Sequence, residues 1–270
     1  MTEGVLHPSV RRSPGPFAAI VAIGLNTFRE AIRDRVLYLL LVFALILIAV
    51  SRLLSLLTVG DEEKIIKDVG LAAISLFGVL TAVFVGVSLV FKEIERRTVY
   101  TLLANPVRRW QFIGGKFAGL MAVLAMNAAL MSSALFAILA WRGQSPWPLA
   151  PAILLIFVEL AVITSFALLF SSLTNPILAA LWTFAAYVTG HLSWSLQLLK
   201  DKLPEGGGRL LCDVVYWVLP NLQRLNLKAE VVHGTALPSG YLAAAMLYGV
   251  AYTVVVLTLA CLAFERKEFN

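Results

Sequence analysis

The sequence is short of charge. Asp, Glu, Lys and Arg make up 14% of its 270 residues, whereas hydrophobic residues make up 60%. Soluble domains carry about 25% charged residues, and a domain of this length has no interior large enough to bury so much apolar surface. The composition excludes an ordinary soluble protein and favours a polytopic helical membrane protein.

Cysteine and catalytic motifs are also scarce. The two cysteines, Cys212 and Cys261, lie far apart, and Cys261 falls inside an apolar run, so neither a disulfide nor a reactive thiol is expected. The sequence contains no G-x-S-x-G elbow and no H-E-x-x-H zinc motif. These absences argue against a catalytic, metal or cofactor site within this chain.

The spacing of residues around Lys116 excludes a nucleotide site of the phosphate-binding-loop type. Gly114-Gly115-Lys116 resembles the end of a phosphate-binding loop, but Trp110 and Phe117 stand where that motif needs a glycine and a hydroxyl residue. Any ATP and Mg must therefore bind to a partner chain. The net charge of +6 does not predict a nucleic-acid partner, because the basic residues are spread over several loops and form no single large face.

Six apolar runs are long enough to cross a membrane, which takes about 20 residues. They are Val36–Leu57, Leu71–Phe91, Phe117–Ala140, Ala150–Phe170, Ile177–Leu199 and Tyr241–Phe264. Only Ser171 to Pro176 separates the fourth run from the fifth, which predicts a tight turn between antiparallel helices. We expect an all-α fold with a transmembrane domain of six helices over residues 36–264.

Basic residues orient these helices. With the N-terminus inside, the inner segments hold 13 of the 22 Lys and Arg residues, as the positive-inside rule requires. The first outer loop, which begins at Asp61, is rich in acidic residues. We therefore expect a multi-pass protein of the cytoplasmic membrane with both termini in the cytosol, including the short tail at residues 265–270.

Residues 1–35 precede the first span and show no cleavage site for a signal peptide. From Phe17 to Arg35 the apolar residues Phe17, Val21, Leu25, Phe28 and Ile32 recur with helical spacing, and Asn26, Arg29, Glu30 and Arg33 take another face. This pattern predicts an amphipathic helix lying on membrane lipids at the inner leaflet.

The largest loop covers residues 200–240 on the outer side, where an outer-side partner would bind. Within it Leu210–Leu219 predicts a short helix, too short to span, that re-enters the membrane or lies on its surface. Pro220 ends that helix.

Two ionisable residues fall inside predicted spans. Glu159 lies near the middle of the fourth run and His191 in the outer half of the fifth. Intramembrane carboxylates are costly and often functional, so Glu159 predicts a proton site, a cation contact or an interhelical pair. A hydrogen-bonded structural glutamate, with Thr164, Ser165 or another helix as partner, is the alternative. His191 is expected to be structural, because no metal-ligating residue lies beside it at ligand spacing.

The charged segment of residues 92–116 separates the second and third spans. It contains Glu93-Ile94-Glu95-Arg96-Arg97-Thr98, then Leu102-Leu103-Ala104-Asn105-Pro106-Val107-Arg108-Arg109-Trp110, then Gly115-Lys116. This succession resembles the permease subunit of ABC-2 type transporters. Ser171 to Thr174 resembles the turn between the fourth and fifth helices of such permeases, and Leu219 to Asn226 resembles the stretch before their sixth. The subgroup that it resembles most serves the maturation of multi-copper enzymes such as nitrous oxide reductase.

The resemblance implies a partnership. It implies six spans, an interfacial helix before the first, short outer helices before the last, and two permease copies working with two cytosolic ATPase subunits. A homodimer is favoured over a heterodimer. The segment would be a coupling helix that docks on the ATPase through Glu93, Glu95, Arg96, Arg97, Thr98, Leu102, Leu103, Pro106 and Arg108. An ordinary solvated loop is the alternative reading of these residues.

The function expected from the sequence is that of an exporting permease. Export is favoured because no outer domain is available to receive a delivered solute. A polytopic membrane enzyme and a mechanotransmitting scaffold without a substrate path are the alternatives. An enzyme should bring polar catalytic residues together at one depth, and the sequence offers no evident partner for Glu159 or His191.

Overall fold

The computed structural model describes residues 16–55, 61–95, 108–193, 206–209 and 219–266, together with Lys200 and Asp213. All regular structure in these ranges is helical. The helices are α1 (Pro16–Ile32), α2 (Arg35–Ser55), α3 (Glu62–Glu95), α4 (Arg109–Trp141), α5 (Ala150–Leu173), α6 (Pro176–His191), α7 (Lys228–His233) and α8 (Tyr241–Arg266), with short 3₁₀ helices at Trp147–Leu149 and Leu222–Leu225.

Five helices are long and apolar enough to cross a membrane, namely α2, α3, α4, α5 and α8. This confirms the predicted all-α polytopic class. The fifth predicted span corresponds to α6, which has 16 residues, so it falls short of a full crossing within the described part of the chain. Residues 194–199 of that span, and most of the predicted short helix Leu210–Leu219, lie outside the described residues.

Helices α3 and α4, which correspond to the second and third predicted spans, are longer than the hydrophobic runs that predicted them. Helix α3 begins at Glu62, where two acidic residues in its first turn favour the helix dipole. Helix α4 begins at Arg109, and the Gln111 side chain accepts a hydrogen bond from the Arg108 backbone N–H at 2.8 Å. The segment predicted as a loop at 92–116 is therefore helical at both ends, and residues 96–107 lie outside the described part.

Helices α3 and α5 form the centre of the bundle. Close approach depends on glycine: a Cβ placed on Gly78 would stand 2.8 Å from Leu160, and one on Gly249 would stand 2.3 Å from Val158. Small residues at such contacts are typical of membrane helices, since lipid supplies no hydrophobic force to drive the helices together. Helices α2, α6 and α8 expose large apolar side chains such as Phe43, Trp182 and Val254, as lipid-facing helices do.

A hairpin sets the relative position of α5 and α6. Asn175 caps α6 by accepting the Leu178 N–H at 2.9 Å, and Pro176 occupies its first position. The predicted tight turn is thus present. We call the end of the bundle that holds Glu95, Arg109 and this turn the near end, and the end that holds Trp141 and residues 219–240 the far end.

Candidate functional site

The predicted ATPase-coupling residues fall mostly outside the described part of the chain. Arg96, Arg97, Thr98, Leu102, Leu103 and Pro106 all lie there. Glu93 and Glu95 belong to the last turn of α3, and their side chains lie outside the described part. Arg108 is exposed immediately before α4. The structure therefore informs the coupling segment through the helix ends that flank it.

These helix ends are fastened to one another. The Arg109 guanidinium donates to the Phe264 carbonyl near the end of α8 at 2.8 Å, a position where a cation also meets the negative end of the helix dipole. The rings of Phe112 and Phe264 stack with centroids 5.5 Å apart. Lys116 is fully buried, and its Nζ lies 3.5 Å from the Leu89 carbonyl of α3. Helices α3, α4 and α8 are thus joined directly beside the segment.

Helix α1 is fastened to the same place through glycine. A Cβ on Gly115 would stand 2.7 Å from Ile23, and a Cβ on Gly119 would stand 2.6 Å from the backbone oxygen of Gly24. Gly115 and Gly119 are four residues apart, so they lie on one face of α4 and let the two backbones approach closely.

The burial of α1 shows which of its faces meets the bundle, while its position on the membrane stays a prediction. Its small residues Ala19, Gly24, Thr27 and Ala31 are the buried ones, whereas the large apolar residues Phe17, Val21 and Leu25 are exposed. A membrane helix buries small residues and turns large ones to lipid. The sequence analysis missed this arrangement, although the spacing of the small residues carried the signal.

At the other end, the structure brings Glu159 and His191 together. His191 Nε2 lies 2.8 Å from Glu159 Oε1, and the Glu159 side chain is fully buried. Within the part of the chain that the structure describes, Glu159 Oε2 has no hydrogen-bond partner. Thr164 and Ser165, the neighbours considered as partners from the sequence, donate instead to the carbonyls of Leu160 and Val162.

The equal distance of the two residues from the turn, counted along the sequence, accounts for the pairing. Glu159 precedes Asn175 by 16 residues, and His191 follows it by 16. Two helices that rise equally per residue on either side of a tight turn bring such positions to one level. The sequence thus contained a signal that was not used. The absence of partners therefore no longer counts against a membrane enzyme, and no cluster of metal-ligating residues occurs within the described ranges.

Other polar groups surround the pair. The edge of the Tyr187 ring meets the His191 ring, with centroids 4.8 Å apart. Ser75 of α3 lies beside the Tyr187 hydroxyl, and its Oγ is buried. From α7, Lys228 comes close enough to sense the charge of Glu159. Burial lowers the pKa of the Lys228 amine, and the negative charges of Glu159 and Asp68 oppose that shift.

A capping segment, residues 219–227, covers this polar cluster and is built into the bundle. Leu222 and Leu225 are fully buried. Leu222 and the Pro220 carbonyl lie so close to Gly190 that a Cβ there would meet them at 2.7 and 2.8 Å. Asn221 is bonded twice, since its backbone N–H donates to Tyr248 Oη at 2.9 Å and its side chain accepts from Ser193 at 3.0 Å.

The chemistry available at the far end is that of the pair formed by Glu159 and His191. A carboxylate and an imidazole in contact can exchange a proton or hold a donor group, and a buried pair of this kind is a frequent mark of function. Glu159 is fully buried in this pair, whereas the His191 side chain is 20% exposed. The near end offers a different capability, since its joined helix ends can pass a displacement of residues 96–107 into α1, α3, α4 and α8.

Comparison with known proteins points to one family. The family model for ABC-2 family transporter proteins matches residues 21–269, which include most of α1 and every later helix. No curated protein matches the chain significantly.

Proposed function

The chain belongs to the ABC-2 transporter family, and from that premise we propose that it is the permease subunit of an exporter driven by a separate cytosolic ATPase. Family membership makes it an integral membrane component of an ABC transporter. Its helices carry the transport step, and hydrolysis of ATP belongs to a partner chain. Two permease copies, preferably identical, would pair with two ATPase subunits in the cytoplasmic membrane, both termini facing the cytosol.

One observation supports the coupling role above the others. The helices that enter and leave residues 96–107 are bound to each other and to the end of α8 through Arg109, Phe112 and Lys116. A partner that moves this segment must therefore move the bundle, because the flanking helix ends cannot slide independently. A stiff element of this kind is what a rigid-body switch between two conformations requires.

Export is proposed because the part of the far end that the structure describes is a compact cap and no receiving domain. The narrower assignment, a permease serving the maturation of a multi-copper enzyme, remains a prediction from the resemblance. The described residues hold no thiol or histidine cluster that would favour a metal cargo.

The decisive experiment exchanges charge in the coupling segment. Glu93→Lys and Glu95→Lys should reduce transport-linked stimulation of the ATPase in the reconstituted complex while the chain is inserted normally. The matched control is Asp61→Lys, which makes the same change in an exposed acidic residue at the opposite end of the bundle. It should leave stimulation unchanged.

The readout is binding of the purified ATPase and its hydrolysis rate with and without the permease in lipid nanodiscs. Equal stimulation in all three variants would remove the coupling role of this segment. Failure of the unaltered chain to bind any ATPase from its native membranes would remove the transporter proposal itself.

A further inference from the structure

The starting observation is an unsatisfied carboxylate oxygen in the interior. Glu159 is fully buried, and among the described residues only one of its oxygens has a partner. A buried ionised oxygen without a donor is expensive, on the order of several kcal/mol. The same oxygen carrying a hydrogen avoids most of that cost, because the carboxyl group is then neutral. A proton is also the one ligand that needs no cavity.

The neighbouring hydroxyls do not remove the difficulty. Thr164 and Ser165 donate within their own helix, and Ser75 lies against Tyr187. Among the described residues, no hydroxyl therefore donates to the second oxygen of Glu159. A bundle that needed only a structural hydrogen bond could have used a neutral residue here at lower cost.

The groups around Glu159 can be assigned element by element. Helix α6 presents His191 and Tyr187, α3 presents Asp68 and Ser75, and α7 presents Lys228. Helix α8 runs beside α5 at the level of Gly249 and carries Tyr248, which is bonded to Asn221, and Tyr252, which packs against Phe166. The set contains two carboxyl groups against one amine and one imidazole. A single proton on the pair therefore changes the balance of charge beneath the cap.

The pair is connected to the cap through one short stretch of backbone. His191 is the last residue of α6, and the adjacent Gly190 touches the Pro220 carbonyl and Leu222. Ser193, two residues further on, has a hydroxyl within hydrogen-bonding distance of both the Gly190 carbonyl and the Asn221 side-chain oxygen, which share its single hydrogen. A change in the bond between His191 and Glu159 alters the end of α6 on which the cap rests.

We propose that Glu159 and His191 hold one proton between them while the capping segment is closed and release it when that segment opens. On opening, water reaches Glu159, the bond between the proton and the carboxyl oxygen or imidazole nitrogen breaks, and the proton passes to that water. The carboxylate that remains beside a neutral imidazole is better solvated by water than by the closed interior, which sustains the open cap. The pair is thus a proton-binding site that gates the far end. This inference deepens the proposed transport function and adds a proton to its cycle.

The test is infrared difference spectroscopy of the purified full chain in nanodiscs during a change of pH. A protonated buried carboxyl group gives a C=O stretching band that disappears on deprotonation. The band should be present in the unaltered chain and lost in Glu159→Gln. The control is Glu63→Gln, which removes a carboxylate paired with Lys67 at the same end and should leave the band in place.

A second variant tests whether the proton is shared. His191→Gln keeps a hydrogen-bonding side chain but cannot take up the proton, so the band should disappear at a different pH. A band that no variant of Glu159 removes, or one unmoved by His191→Gln, would overturn the proposal.

The link to the cap needs its own measurement. In a chain with Cys212→Ser and Cys261→Ala, a cysteine introduced by Ser193→Cys lies under the cap, where its native hydroxyl contacts Asn221. Its labelling by a membrane-impermeant maleimide should rise several-fold over the pH range in which the carboxyl band is lost. Labelling that is independent of pH would overturn the gating. All these readouts use the permease alone, so they remain informative even if the ATPase coupling proposed above fails.

Discussion

The contact between α1 and α4 allows a sharp test of how the near end is assembled. Gly114 and Gly119 lie in the same helix, five residues apart. A Cβ on Gly119 would stand 2.6 Å from the Gly24 carbonyl oxygen and 2.6 Å from Thr27 Cβ, whereas a Cβ on Gly114 would meet nothing within 4 Å. Because a backbone oxygen cannot rotate away, Gly119→Ala must push the two helices apart, and Gly114→Ala need not.

The magnitudes follow from two opposing effects. Replacing glycine by alanine inside a helix favours folding by about 1 kcal/mol at either position. Overpacking a tight contact costs about 1–3 kcal/mol, and only Gly119→Ala incurs it. The two variants should therefore differ by about 1–3 kcal/mol in the free energy of unfolding. On the scale set by soluble proteins of this size, that is a difference of about 2–12 °C in melting temperature.

The assay is thermal unfolding of both variants in the same detergent, followed by the loss of the monodisperse peak of a fluorescent fusion. Gly114→Ala should melt at or slightly above the unaltered chain, and Gly119→Ala clearly below it. Since propensity cancels between the variants, the difference isolates the helix contact. Equal melting temperatures would refute the reasoning that α1 is seated on α4 through glycine.

Three further outcomes are expected. Gly190→Ala should lower the melting temperature by an amount that corresponds to about 1–3 kcal/mol, because the new methyl group displaces Leu222 and the Pro220 carbonyl; a melting curve checks this, and an unchanged curve would contradict the seating of the cap. Leu222→Ala should cost about 2–5 kcal/mol by leaving a cavity under the cap, measured in the same way, with exposed Leu247→Ala as the neutral control. Arg109→Ala should lose about 1.5–3 kcal/mol with the charged hydrogen bond to Phe264 and should weaken ATPase binding in a pull-down, whereas a variant that binds normally would speak against transmission through α8.

Much of the fold could be read from composition and spacing alone. Runs of about 20 apolar residues have few alternatives to a spanning helix, since lipid offers no partner for an unpaired backbone group. The tight turn at Asn175 was equally legible, because a capping residue followed by proline specifies a helix start locally. The residues at which the helices begin and end were harder to predict. Helix α3 begins nine residues before its apolar run, where charged side chains in water cost the helix little.

The candidate sites divide in the same way. The charged segment at 92–116 and the isolated Glu159 and His191 stood out because charge is costly in an apolar chain. Their partners did not stand out, since a hydrogen bond between helices depends on register, rotation and tilt together. The buried face of α1 was likewise not predicted. The prediction used the spacing of the large apolar residues, whereas the helix packs on the bundle through its small ones.

By itself, therefore, the sequence determined what is written in local chemistry: the helices, their turn, the membrane as solvent and the positions where charge must be explained. Tertiary structure alone decided which charges meet, which face of α1 is buried and how the cap rests on Gly190. The physical reason is that propensity and hydropathy act residue by residue, whereas pairing and close packing depend on the distance between atoms that lie far apart along the chain.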